Sequence, residues 1–135
     1  MEINESNMLR EHLIKLLDWP DAHVSFDAAV EDIPQPLQGV RPAGLPYSPW
    51  ELLEHIRITQ RDILNFCRDP DYEAPGWPNE YWPKSTSPPT PDDWQQSVTA
   101  FHADRQAMHK LTADPALDIY AEIPHGEGQT YLREV

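Results

Sequence analysis

Six histidines are the residues of this chain best suited to chemistry: His12, His23, His55, His102, His109 and His125. A neutral imidazole serves as a base near neutral pH and is the commonest metal ligand. His55 stands at the edge of a stripe that Leu52, Ile56 and Thr59 form at helical spacing. An imidazole turned inward there needs a partner, because an unsatisfied buried polar group costs about 1–3 kcal/mol. A metal ion is one such partner. A hydrogen-bond acceptor in the core is the other and the more frequent one. His102 and His109 are seven residues apart and share a helical face, where flanking positions half in solvent are the plainer reading. His23 either lines the same bundle end as His55 or sits on the surface near a helix start. His12 has no site-like context, and His125 lies in the turn Pro124-His125-Gly126. Arg105 falls on an apolar seam; it is expected to snorkel at the edge rather than reach an acid.

Other chemistries find little footing. The chain has no P-loop, no paired-glycine dinucleotide motif, no His-Glu-x-x-His and no nucleophile elbow. Its one cysteine, Cys67, cannot form an internal disulfide or a multi-cysteine metal site. Set among Ile63, Leu64 and Phe66, it reads as a small core residue. The net charge of −13, from 10 basic and 23 acidic residues, argues against phosphate-neutralising partners, whether nucleic acid or an anionic membrane. No apolar run approaches the roughly 20 residues that span a bilayer. The N-terminus lacks the pattern of a secretory signal, so a cytoplasmic location is expected.

The elements that must position these side chains are helical. The 135 residues, 39% of them apolar, suit one domain with one core, expected over residues 1–135. Fifteen prolines punctuate the sequence and mark the element boundaries. A first segment is expected from about Ser6 to Ile33, broken near Trp19-Pro20, with Met8, Leu9, Leu13, Leu16 and Leu17 and then Ala22, Phe26, Ala29, Val30 and Ile33 on its stripe. Ser48-Pro49-Trp50-Glu51 spells a capping box with proline at the first helical position. In the helix it opens, Leu52, Ile56, Thr59, Ile63, Phe66 and Cys67 fall on one face. Glu54, Arg57, Arg61 and Asn65 fall on the opposite face, expected in solvent. Seven prolines between residues 70 and 91 forbid regular structure, yet Trp77, Tyr81 and Trp82 point to an ordered loop docked on the bundle. A third helix is expected from Thr90-Pro91-Asp92-Asp93 to Asp114-Pro115, with Trp94, Val98, Phe101, Arg105 and Met108 as its seam. After an extended connector, Thr130 caps a fourth helix beginning at Tyr131. The whole reads as all-α, an antiparallel up-down four-helix bundle whose last helix is cut off at Val135. Trp50, Leu52, Ile56, Ile63, Phe66, Trp94, Val98, Phe101 and Met108 are its expected core.

The order of these features resembles the DinB-like superfamily, which includes bacillithiol- and mycothiol-dependent transferases. The resemblance is carried by Leu16-Leu17-Asp18-Trp19-Pro20-Asp21-Ala22-His23, by Ser48-Pro49-Trp50-Glu51-Leu52-Leu53-Glu54-His55, by Tyr81-Trp82-Pro83, by Asp93-Trp94 and by His125-Gly126-Glu127-Gly128-Gln129-Thr130-Tyr131-Leu132-Arg133-Glu134. Leu-Leu-Glu-His is the most specific of these motifs.

The resemblance implies a four-helix bundle, commonly a homodimer, with a divalent metal such as Zn or Ni on three histidines. One ligand belongs to the second helix and lands on His55. The other two, four residues apart on the fourth helix, have no counterpart up to Val135. The chain alone is therefore expected to bind metal weakly, unless His23, His102 or His125 converges on His55. Three imidazoles leave open positions for a low-molecular-weight thiol, which the metal would ionise. The implied function is a metal-dependent thiol S-transferase, or a related enzyme, acting on small electrophilic molecules. A non-catalytic bundle that binds a small molecule or a partner chain is the alternative.

Overall fold

A computed structural model describes residues 5–135 of the chain. Among the described residues there are five α-helices and no strand. They are α1 (Glu5–Asp18), α2 (Phe26–Glu31), α3 (Pro49–Arg68), α4 (Asp93–Ala113) and α5 (Tyr131–Glu134). Two short 3-10 turns, Gln35–Leu37 and Asn79–Tyr81, lie in the connections. No helix among the described residues is long and apolar enough to cross a membrane.

Local chemistry accounts for most helix ends. Ser48 accepts from the Glu51 N–H while the Glu51 carboxylate accepts from the Ser48 N–H, so the capping box at the head of α3 is complete. Arg41 grips the same carboxylate at 2.8 and 3.0 Å and holds it below the usual carboxylate range. Ser25 caps α2 and Thr130 caps α5. Residues 19–25 form no helix, so Ala22 lies in an exposed turn and not on a stripe. α4 starts at Asp93, with Pro91 and Asp92 still in a turn; the Asp93 carboxylate reaches back to the Thr90 N–H.

The packing of α3 on α4 departs from the sequence reading in two ways. First, the two helices run parallel. Glu54 meets Ser97 and Arg61 meets Asp104, seven residues further along both. The proline-rich segment between them is long enough to carry the chain back to the starting end. α1 is antiparallel to α4, for Arg10 meets Thr112 while Asp18 meets Arg105. Second, two of the polar residues of α3 expected in solvent, Glu54 and Arg61, meet α4. Glu54 is buried and bonded by Arg57 and Ser97, and Arg61 forks onto buried Asp104. Paired charges can be buried in this way because each finds its complement across the interface.

The core follows from that rotation. Trp50, Leu53, Leu64, Cys67, Trp94, Phe101 and Met108 are buried. Leu52 and Ile56, expected inside, are each 45% exposed, while Ile63, Phe66 and Val98 are half-buried. Trp50, Leu53 and Trp94 form a cluster against which Phe26, Val30, Ile33 and Val98 pack. The connector after α4 adds Ile119 and Ile123, both almost fully buried. Its Ile123 N–H bonds the Gln129 carbonyl, and Glu122 bridges Thr130.

Candidate functional site

α3 presents His55, Ile56, Thr59, Gln60 and Ile63 along one wall of an open groove of about 400 Å³. Leu17 of α1, Phe101 and Met108 of α4, and Glu134 and Val135 at the end of the chain complete it. The lining is apolar except for an imidazole, an amide, a hydroxyl and a carboxylate. A largely apolar cleft with a few convergent polar groups is the usual form of a small-molecule site. A second cleft of similar volume, between residues 35–40 and 87–91, is lined by no titratable side chain.

His55 is held from two directions. Its Nδ1 lies 2.8 Å from the Tyr81 carbonyl oxygen. A carbonyl can only accept, so Nδ1 carries the proton and the lone pair of the neutral ring is on Nε2. Nε2 has no protein partner among the described residues and is not sealed from solvent. No carboxylate among the described residues forms an ion pair with the ring. The ring also lies flat on Trp82, centroids 3.8 Å apart and planes 3° from parallel. Trp82 stacks in turn on Tyr47, at 4.3 Å.

The loop that carries these partners is anchored on α3. Asp62 accepts from the Tyr72 hydroxyl at 3.0 Å and from the Tyr81 hydroxyl at 2.8 Å. Burial, followed by the Asp62 carboxylate, pushes both phenols up to about 12. Tyr81 is buried and Trp82 half-buried, but Trp77, expected to pack on the bundle, is 75% exposed and meets the Tyr81 ring edge-on.

The other histidines go elsewhere. His102 accepts at Nδ1 from Arg105 and stands 2.7 Å from Asp27. His109 approaches Asp18 at 3.3 Å. Arg105 lies over Phe101 and 3.3 Å from the same Asp18; it thus reaches an acid instead of snorkelling into solvent. The Arg105 Nε and His109 Nε2 atoms are buried without an aligned hydrogen bond, so both approach the Asp18 carboxylate without a well-formed bond. His125 donates through Nε2 to the Phe66 carbonyl, and His12 and His23 are exposed.

No group of three or more His, Cys, Asp or Glu side chains that could hold a metal ion occurs among the described residues. His55 is disposed as a single donor, and neither His23, His102 nor His125 joins it. The described residues do not make up a metal site by themselves. Cys67 is buried, and desolvation raises its thiol to about 11, which leaves little thiolate at neutral pH. Sequence reasoning placed Tyr81 in a docked loop but missed its carbonyl as the partner of His55, since a backbone carbonyl leaves no signature in residue types, and it missed Asp62, the anchor of the Tyr81 hydroxyl.

Compared with known protein families, with curated proteins and with solved structures, the chain matches none.

Proposed function

We propose that the chain is a DinB-like helical-bundle protein in which His55 is one ligand position for a divalent metal. Its activity would be thiol S-transfer, or related chemistry, on small electrophilic molecules. The observation that supports this best is the disposition of His55. A metal-ligating histidine characteristically donates its other N–H to a carbonyl or carboxylate, which fixes the tautomer. The Nδ1 contact with Tyr81 does this and leaves Nε2 as the donor atom. α5, whose Glu134 and Val135 reach the groove, is in this reading the start of the bundle's fourth helix. The half-exposed Leu52 and Ile56 support association into a homodimer, since a contiguous apolar face marks an interaction surface.

A second reading is a non-catalytic small-molecule binder. It is favoured by the apolar lining of the groove and by the single donor among the described residues. Calorimetric titration of the chain with Zn²⁺ or Ni²⁺ separates the two. On the first reading the chain binds the ion weakly, through His55, and His55→Ala removes the binding. In any longer product that supplies a His-x-x-x-His pair after α5, binding is tight, one ion per chain, and equally lost with His55→Ala. Metal binding that His55→Ala leaves unchanged would sink the ligand assignment.

A further inference from the structure

Tyr81 is held at both ends by one helix. Its backbone carbonyl accepts from His55 Nδ1, and its hydroxyl donates to Asp62 Oδ2. His55 and Asp62 are seven residues apart on α3, which is two turns and about 10 Å of helix, on one face. Tyr81 lies along that face as a strut of fixed length. The second oxygen of Asp62 takes the Tyr72 hydroxyl, so the carboxylate clamps the loop at two points. We propose that Asp62 is a positioning residue for His55: acting through Tyr81, it sets which nitrogen of the imidazole carries the proton. This rests on the reading of His55 Nε2 as a donor atom, and it names the group that makes Nε2 available.

The physical case is one of register. The Tyr81 carbonyl belongs to an irregular loop of residues 69–92, whose own backbone bonds are few and short-range. Without an anchor such a carbonyl samples many positions relative to α3. The Tyr81 ring is buried and its hydroxyl ends on a fixed carboxylate, so the carbonyl at the other end is fixed too. Trp82, the next residue, then lies flat on the imidazole and stops it rotating out of that bond. One acidic residue thus fixes both the acceptor for Nδ1 and the wall against the ring.

The test is ¹⁵N NMR of the full 135-residue chain labelled at histidine, above the pH of imidazole protonation, where ring nitrogen shifts report the tautomer. Wild-type His55 is expected in the Nδ1–H form. Asp62→Ala, and independently Tyr81→Phe, should lower the population ratio of the Nδ1–H to the Nε2–H form about fivefold, the weight of one ordinary net hydrogen bond. Asp62→Asn, which can still accept from the Tyr81 hydroxyl, should retain most of it. An Nε2–H ring in the wild type overturns the proposal. So does an unchanged tautomer in Tyr81→Phe, which lacks a single oxygen and keeps the apolar packing. If Asp62→Ala does not fold, Tyr81→Phe and Asp62→Asn decide. Zn²⁺ added to the wild-type sample separates the two claims. Should the tautomer series run as expected while Zn²⁺ leaves the Nε2 resonance in place, the positioning role stands and the metal reading fails.

Discussion

His102 and Asp27 meet where α2 crosses α4, with Nε2 2.7 Å from Oδ1. Arg105 donates to His102 Nδ1 at 3.0 Å, so the neutral ring carries its proton on Nε2, facing the carboxylate. Both ring nitrogens are in use, and this histidine has no lone pair to offer a metal. The Phe26 ring stacks on Phe101 at 3.9 Å in the same junction. Exposed polar contacts of this kind contribute only about 0–1 kcal/mol, whereas an aromatic pair adds about 0.5–1.5 kcal/mol beyond the area it buries. The ring therefore holds α2 more firmly than the polar contact does. Urea unfolding should show Phe26→Ala costing about 2 kcal/mol and His102→Ala less than about 1 kcal/mol. The reverse order would mean that the polar contact is the main fastening.

Arg10 is 7% exposed, and its guanidinium donates to the carbonyls of Thr112, Asp114 and Leu117. Those carbonyls sit at and just past the end of α4, where the helix supplies no partners of its own. Arg10→Ala leaves them unpaired and should cost about 2–4 kcal/mol. Arg10→Lys should recover only part of this, because one ammonium cannot reproduce the planar fork. An unchanged urea midpoint for Arg10→Ala would refute the capping role.

The pH limits of stability follow from four groups. The Cys67 thiol, at about 11 against an ordinary 9, and the Tyr72 and Tyr81 phenols, at about 12 against 10, hold their protons more tightly when folded. Between the unfolded and folded values the unfolded chain binds fewer protons, so stability falls as pH rises. That loss should begin near pH 9 and continue to about 12. Glu51 is shifted the other way, chiefly by its hydrogen bond from Arg41. Its contribution is present above the ordinary 4.5 and is lost as pH falls below that value. Urea midpoints across pH should show a plateau bounded on both sides. Ultraviolet titration should find two of the five tyrosines ionising late. A thiol reagent at pH 8 should modify native Cys67 far more slowly than the unfolded chain; equal rates would contradict its burial.

The groove gives a prediction in which stability and binding part company. Ile56 is half-exposed in its wall, whereas Leu64 is fully buried. Leu64→Ala should cost about 2–5 kcal/mol. Ile56→Glu should cost less than about 1 kcal/mol, as surface changes do, yet it places a charge in the lining. Nile red should fluoresce with the wild type and lose most of that signal with Ile56→Glu. Equal fluorescence from both would place the probe elsewhere.

What could be read from the residues was mostly local. Ser48 and Glu51 announced their capping box because both partners lie within one turn of chain. Thr130 announced the start of α5 in the same way. The orientation of α3 was not legible, because the apolar stripe of Leu52, Ile56 and Ile63 outweighs Glu54, Arg57 and Arg61 on any wheel. Only the complementary Ser97 and Asp104 on α4 make that polar side the packed one. Nor does periodicity flag Ile119 and Ile123, buried in a connector without regular structure. At the site, His55 was singled out by its neighbours in sequence. Its acceptor, a carbonyl 26 residues away, could not have been.

The parallel course of α3 and α4 has an electrical consequence. Each helix gathers a partial positive charge at its N-terminus and a partial negative charge at its C-terminus. Parallel neighbours bring like poles together: the Trp50 and Trp94 rings, one from each first turn, lie 6.5 Å apart. Two positive poles at one end would repel, and each is met by an acid in its own first turn, Glu51 on α3 and Asp93 on α4. The negative poles gather at the other end, where Arg68 and Lys110 occupy the last turns. There the antiparallel α1 delivers the Arg10 guanidinium onto the last carbonyls of α4. Arg10 is thus a counter-ion as well as a cap, and the oppositely directed α1 offsets part of the field that the parallel pair builds up.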